Sequence, residues 1–465
     1  MLLWAIIGYL ILTVAVGAWS SRLVKNSSDF VLAGRSLPLF LSASALFATW
    51  FGSETIFGAS SVYLEEGLLG VIEDPFGGAL CLVLFGMFFL RPMYRMNVLT
   101  IGDVFKKIFG KKVEFFASVF MIPAYFGYVA AQLVALSLVL GAVTDLSLME
   151  GILISSAIVV FYTFLGGMWA ISITDFIQTT MIVVGLVWVA IMVAKEAGGV
   201  GEIFAQAPPE SLQLFPENTL NGWTNYFGAW IILGLGSIPS QDIYQRVMSS
   251  KSEKVAVQST YLAGLFYVSF GLLPLFIALG AKVLYPELYL ENKQMLLPSM
   301  VLQHGGLPVQ IVFFGALISA IMSTTSSGLL APAAIISENL IRPYFGKKLT
   351  DRHFLWILRI NVVLVAMISI LMASWKSNIY ELVAGASILM LVSLFVPLTA
   401  GLYWKKASRI GALIAMVFGM IVYLAAENYL WSENNHLIGL LASAASMLIG
   451  SYIFPDPRIV NHELS

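Results

Sequence analysis

Apolar residues run through this chain in long unbroken blocks, with neither the alternation of strands nor the one-sided stripe of soluble helices. The blocks cover 1–20, 37–63, 68–90, 113–143, 148–169, 172–194, 223–245, 256–284, 306–338, 353–375, 379–404, 409–427 and 434–454. Most match the ~20 residues a helix needs to cross a hydrocarbon core, which predicts about thirteen membrane-crossing helices. A membrane β-barrel would alternate with period two instead. The blocks at 37–63 and 306–338 exceed one span, so each predicts a tilted or an interrupted helix. The first block, Met1 to Trp19, has no basic leader and no A-x-A-like cleavage site, and reads as a retained helix.

Two interruptions stand out. Gly52-Ser53-Glu54 breaks the second block, and Gly234-Leu235-Gly236-Ser237-Ile238-Pro239 breaks the seventh. Those helices are five spans apart and therefore cross in opposite directions. Paired broken helices in corresponding positions of two halves point to an inverted-repeat carrier. Unwound backbone at mid-membrane is tolerated only where it lines a cavity or holds an ion.

Composition agrees with the pattern. Hydrophobic residues make up 59% of the 465 and charged residues 11%, with a mean hydropathy of +0.88. A soluble domain averages about 45–50% and about 25%, so the lipid bilayer is the implied partner. A net charge of −1 gives no basis for nucleic-acid binding. The single cysteine, Cys81, rules out an internal disulfide. His304, His353, His436 and His462 show no metal-ligand spacing, and no G-x-S-x-G elbow is present, so no enzyme is expected. Twenty of the 25 basic residues, Arg246 among them, fall in alternate loops. By the positive-inside rule these loops face the cytoplasm of a cell-membrane protein, with the N-terminus outside and the C-terminus inside.

Candidate chemistry gathers near the breaks. The 306–338 block carries Ser323-Thr324-Thr325-Ser326-Ser327, five hydroxyls in a row. Ser323, Ser326 and Ser327 share one helical face. Hydroxyls with freed carbonyls suit a dehydrated sodium ion; the alternative is hydroxyls bonded back into their own helix. Asp175 and Glu54 are acids inside spans, a placement that by default marks function. Asp74 precedes Pro75, and Asp242 follows the second break, where it could simply pair with Arg246 at i+4. Trp50 abuts the first break, and Tyr128 and Gln132, at i and i+4, could share its cavity.

Together these features resemble the sodium/solute symporter family. The likeness rests on Leu32-Ala33-Gly34-Arg35-Ser36-Leu37, on Tyr162-Thr163-x-x-Gly166-Gly167 leading to Thr174-Asp175-x-x-Gln178, and on Tyr244-Gln245-Arg246-Val247-Met248-Ser249-Ser250-Lys251-Ser252. The hydroxyl run and Gly401-Leu402-Tyr403-Trp404-Lys405-Lys406 complete it, from about Ser28 onward. The resemblance implies one all-α transmembrane domain of the LeuT-like type, a five-plus-five inverted repeat. Repeat one would span 37–195 and repeat two 223–404, each opening on a broken helix (helices 1 and 6 when the extra N-terminal helix counts as zero). Residues 1–36 would supply that extra helix and loop, and 405–465 two C-terminal helices.

The resemblance also implies a sodium site built from the carbonyls of Ala48, Phe51 and Ala320 and the hydroxyls of Ser323 and Thr324. A second site, found in some relatives, matches at Asp175, Ser323, Ser326 and Ser327, so two sodium ions per cycle are expected. The solute would bind among Trp50, Glu54, Thr55, Asp74, Phe76, Tyr128, Gln132 and Ser240. Ala48-Thr49-Trp50 and Gly236-Ser237-Ile238-Pro239 look most like the choline-transporter branch. Ser240, however, stands where that branch has a tryptophan. The solute is therefore open among amino acids, compatible solutes and organic cations, sugars included. The expectation is sodium-coupled import by alternating access, with no obligate protein partner. Proton coupling through Asp175 or Glu54, and a transporter-like sensor, are the alternatives.

Overall fold

The computed structural model describes residues 1–291, 293–345, 350–375, 379–429 and 434–456. Lys347, Lys348, Lys376 and Arg458, four of the basic residues between or beyond the apolar blocks, and His462 lie outside them. Among the described residues the fold is all helical. The elements used below are α1 (Leu2–Ser20), α2 (Leu39–Trp50), α3 (Ala59–Gly70), α4 (Ile72–Met96), α5 (Lys111–Gly141), α6 (Leu148–Glu196) and α7 (Leu220–Gly236). They continue with α8 (Gln241–Met248), α9 (Glu253–Leu284), α10 (Leu307–Ile335), α11 (Asp351–Trp375), α12 (Leu382–Tyr403), α13 (Arg409–Tyr429) and α14 (Asn435–Ile453).

Ten helices among the described residues are long and apolar enough to cross a membrane. One of them, α6, has 49 residues and would stretch roughly 74 Å if straight, more than two hydrocarbon thicknesses. It divides at Gly167, whose φ of 49° and ψ of −138° leave the helical region. A Cβ there would sit 2.5 Å from the Phe30 carbonyl, so the bend needs glycine for its close approach as well as its dihedrals. Both halves of α6, with the interrupted passages α2–α3 and α7–α8, account for the thirteen crossings read from the sequence.

The interruptions have local causes. At Phe51 the backbone turns to φ −80°, ψ 75°, which ends α2, and the chain re-enters α3 through a wide turn at Glu54–Gly58. Between α7 and α8, Pro239 has no N–H to continue the ladder, and Ser240 takes an extended conformation (φ −83°, ψ 142°) before α8 begins. The two broken helices are tied at one end. Leu37 N–H donates to the Ser249 carbonyl (3.0 Å), and Lys251 N–H donates to the Leu37 carbonyl (3.0 Å).

α10 occupies the centre. Every residue from Phe313 to Ile335 is buried, and the helix packs against α5, α6 and α2. The long 306–338 block is thus one continuous helix, extended by a wide turn at Ile336–Ile341, and not an interrupted one. Burial on all sides explains why the block looked uniformly apolar. It also makes the five adjacent hydroxyls costly unless each finds a partner.

Candidate functional site

The hydroxyl run of α10 faces the place where α2 ends. Thr324 Oγ1 lies 3.2 Å from the Ala48 carbonyl and 3.1 Å from the Ala320 carbonyl, so oxygens of two helices converge on one hydroxyl. Ser323 donates to Asp175 Oδ1 of α6 at 2.5 Å, while Asp175 Oδ2 is buried and has no hydrogen-bond partner. Ser326 and Ser327 both donate to the Ser323 carbonyl at 2.9 Å. That back-bonding uses their protons, and the Ser327 oxygen accepts in turn from Arg246 Nη2. Phe51 is fully buried at the end of α2, its backbone out of helical register. Ala48, Ala320, Ser323, Thr324 and Asp175 therefore stand together.

Gly52 sits where these groups meet the other acids. A Cβ there would lie 2.7 Å from Thr324 Oγ1 and 2.8 Å from both Gln132 Oε1 and Glu54 Oε2. Gln132 fixes the break. Its Oε1 accepts from Ser53 N–H (3.0 Å), and its Nε2 donates to Glu54 Oε2 (2.7 Å). Tyr128 donates to the Thr49 carbonyl at 2.9 Å and reaches Glu54 Oε1 at 3.5 Å.

On the other side of the break lies a narrow cavity of about 30 Å³. Trp50, Tyr125, Tyr128 and Tyr267 give it an aromatic wall, and Glu54 and Asp242 supply carboxylates. Ser237 and Ser240, in the link between α7 and α8, and Ser387 of α12 add hydroxyls. Among the described residues, no Lys, Arg or His lines it.

Of the expected solute residues, Trp50, Glu54, Tyr128 and Ser240 line this cavity. Gln132 stands behind it, holding Glu54. Thr55 and Asp74 lie outside its lining, bonded to each other at 2.8 Å; the Tyr267 hydroxyl reaches Asp74 Oδ1 (2.8 Å), Thr55 Oγ1 (2.9 Å) and the Trp50 carbonyl (2.9 Å). Phe76 is also outside the lining, its ring 6.3 Å from that of Trp230.

Asp242 does not pair with Arg246 as the i+4 spacing implied. Its carboxylate accepts from Trp50 Nε1 (2.7 Å) and from the Tyr125 hydroxyl (2.8 Å). Arg246 is fully buried rather than in a loop; its Nη2 donates to Ser327, and its Nη1 reaches only the Asp242 backbone carbonyl at 3.4 Å. Arg246 stood in a family motif but read as a loop residue; Tyr125 and Tyr267 carried no sequence signal, since aromatics are common here. Asp242 had one, its place three residues past a helix-breaking proline.

The chain matches the sodium:solute symporter family over residues 30–419. It is 30% identical to high-affinity choline transporter 1 of Drosophila melanogaster over 441 residues, covering 90% of this chain and 70% of that one. Identity to sodium/proline symporter 2 of Staphylococcus saprophyticus is 29% over 485 residues, with 94% and 90% covered. The structure superposes on a Na⁺-coupled sialic acid symporter in a substrate-bound outward-open state with a TM-score of 0.86, at 19% identity and 98% coverage of both chains. A nucleobase-cation-symport-1 family transporter in a closed conformation gives 0.61 at 17% identity, with 92% and 96% covered. The fold is thus the LeuT type, in an integral membrane protein. The chain belongs to the sodium:solute symporter family, and it is a sodium-coupled carrier of a small organic solute rather than an enzyme.

Proposed function

We propose that two sodium ions drive the import of one solute per cycle. The first is held by the carbonyls of Ala48, Phe51 and Ala320 with the hydroxyls of Ser323 and Thr324. The second is held by Asp175 with Ser323, Ser326 and Ser327. The observation that carries this reading is the convergence of Thr324 Oγ1 with the Ala48 and Ala320 carbonyls at the end of a broken helix. Asp175 Oδ2 supports the second site, because a buried carboxylate oxygen without a donor is an open ligand position.

Sodium at the first site bridges α2 and α10 and so fixes the wall that carries Trp50. Solute then binds in the aromatic cavity, and the paired broken helices rock as a unit to release it inside. Carboxylates and aromatic faces favour an amino acid, a compatible solute or an organic cation, which agrees with choline and proline carriers among the relatives. The basic loops set the N-terminus outside and the C-terminus in the cytoplasm. Residues 37–195 and 223–404 serve as the two repeats.

One charge falling through about 100 mV releases roughly 2.3 kcal/mol, and a tenfold gradient adds roughly 1.4 kcal/mol. Two ions then supply roughly 7 kcal/mol. Solute accumulation at zero voltage tests the stoichiometry. In proteoliposomes with a tenfold sodium gradient, two ions support about a hundredfold accumulation and one ion about tenfold. A tenfold limit would contradict the second site.

A further inference from the structure

The cavity carries a charge asymmetry that the sodium sites do not use. Asp242 lies in the first turn of α8 and is 2% exposed. Its two oxygens accept one hydrogen bond each, from Trp50 and Tyr125. A carboxylate has room for about four, so each oxygen can take another donor. The cation nearest in sequence, Arg246, spends its Nη2 on Ser327. Ser240 lines the same cavity at 1% exposure, and its Oγ has no hydrogen-bond partner. Ser237 and Ser387, 3.2 Å apart, continue this polar wall.

An acid in the first turn of a helix is favoured by the helix dipole in any case. That does not account for two side chains from α2 and α5 holding the carboxylate in the lining of a cavity. Nor does it account for a buried hydroxyl beside it without a partner.

We propose that Asp242 and Ser240 form an ammonium subsite, and that the solute is a primary or secondary amine bound as its cation. The proposal rests on the symport reading above and names the solute class of the same cavity. The N–H protons go to the free lone pairs of Asp242 and to Ser240 Oγ, and the alkyl part lies against Trp50, Tyr128 and Tyr267. A quaternary ammonium has no N–H. It meets the aromatic faces but leaves Ser240 and the carboxylate lone pairs unpaired, the situation in which polar sites discriminate most strongly.

A methylation series tests this with the full-length purified protein in saturating sodium. Thermal shifts are recorded against ethanolamine, N-methylethanolamine, N,N-dimethylethanolamine and choline. The half-saturating concentration is expected to rise along the series, by at least about tenfold from first to last. A flat or reversed order, or no shift from any of the four, overturns the proposal. Asp242→Asn is expected to weaken ethanolamine at least about tenfold and to erase the order; an unchanged order in the folded variant overturns it as well. If that variant does not fold, the wild-type series decides alone. The sodium-induced shift without amine separates the two levels. Its absence overturns the symport reading and the amine subsite together, whereas its presence with a flat series overturns the subsite only.

Discussion

Thr324 of α10 meets Ala48 of α2, hydroxyl to carbonyl, at 3.2 Å, three residues before the backbone leaves the helix at Phe51. The contact joins the all-buried central helix to the edge of the break. An ion coordinated there would report to both elements at once. The bare helix-breaking sequence thus becomes a junction only because α10 delivers a hydroxyl to it.

Thr324→Val keeps the side-chain shape and removes the oxygen. Sodium activation of uptake should need at least about ten times more sodium, equivalent to about 1.4 kcal/mol. The melting behaviour without sodium should change little, since a hydrogen bond contributes about 0.5–1.5 kcal/mol net. An unaltered sodium requirement would remove Thr324 from the coordination shell.

Asp175→Asn tests the second ion. The Hill coefficient for sodium in uptake assays should fall from near two towards one, with residual transport through the first site. A coefficient unchanged from wild type would mean that Asp175 only anchors Ser323.

Gly52→Ala pushes a methyl group towards Thr324, Gln132 and Glu54 at 2.7–2.8 Å. Overpacking of this kind costs about 1–3 kcal/mol. Because it falls at the junction, the sodium-induced thermal shift should shrink more than the sodium-free stability. Equal losses in both would indicate a general packing defect.

Gln132→Leu strips partners from Ser53 N–H and Glu54 Oε2 together. Leaving buried polar groups unmatched costs about 1–3 kcal/mol each. Detergent melting curves should therefore show a larger loss than Thr324→Val. A variant as stable as wild type would mean that Glu54 finds another donor.

Much of this was readable along the chain. The thirteen crossings follow from block length, and both breaks follow from Gly and Pro inside apolar runs. Asp175 and the hydroxyl run stood out because their residue types are expensive in a span. The continuity of α10 was not readable, since an all-buried helix and an interrupted one give the same uniform hydropathy. Phe76 and Asp74 entered the expected solute set through the family resemblance, and they lie outside the lining of this cavity. Asp242 shows how spacing alone misleads. Its i+4 spacing to Arg246 offered a simple local partner, but packing delivers Trp50 and Tyr125 from distant segments, and the buried guanidinium goes to Ser327 instead.

Binding of radioactive sodium to the purified protein, wild type against the Ser323→Ala/Thr324→Ala double variant, addresses the junction without solute or gradient. Saturable binding to the wild type, lost in a double variant that still melts cooperatively, is the expected result. Equal binding by the two proteins would contradict sodium coordination between α2 and α10.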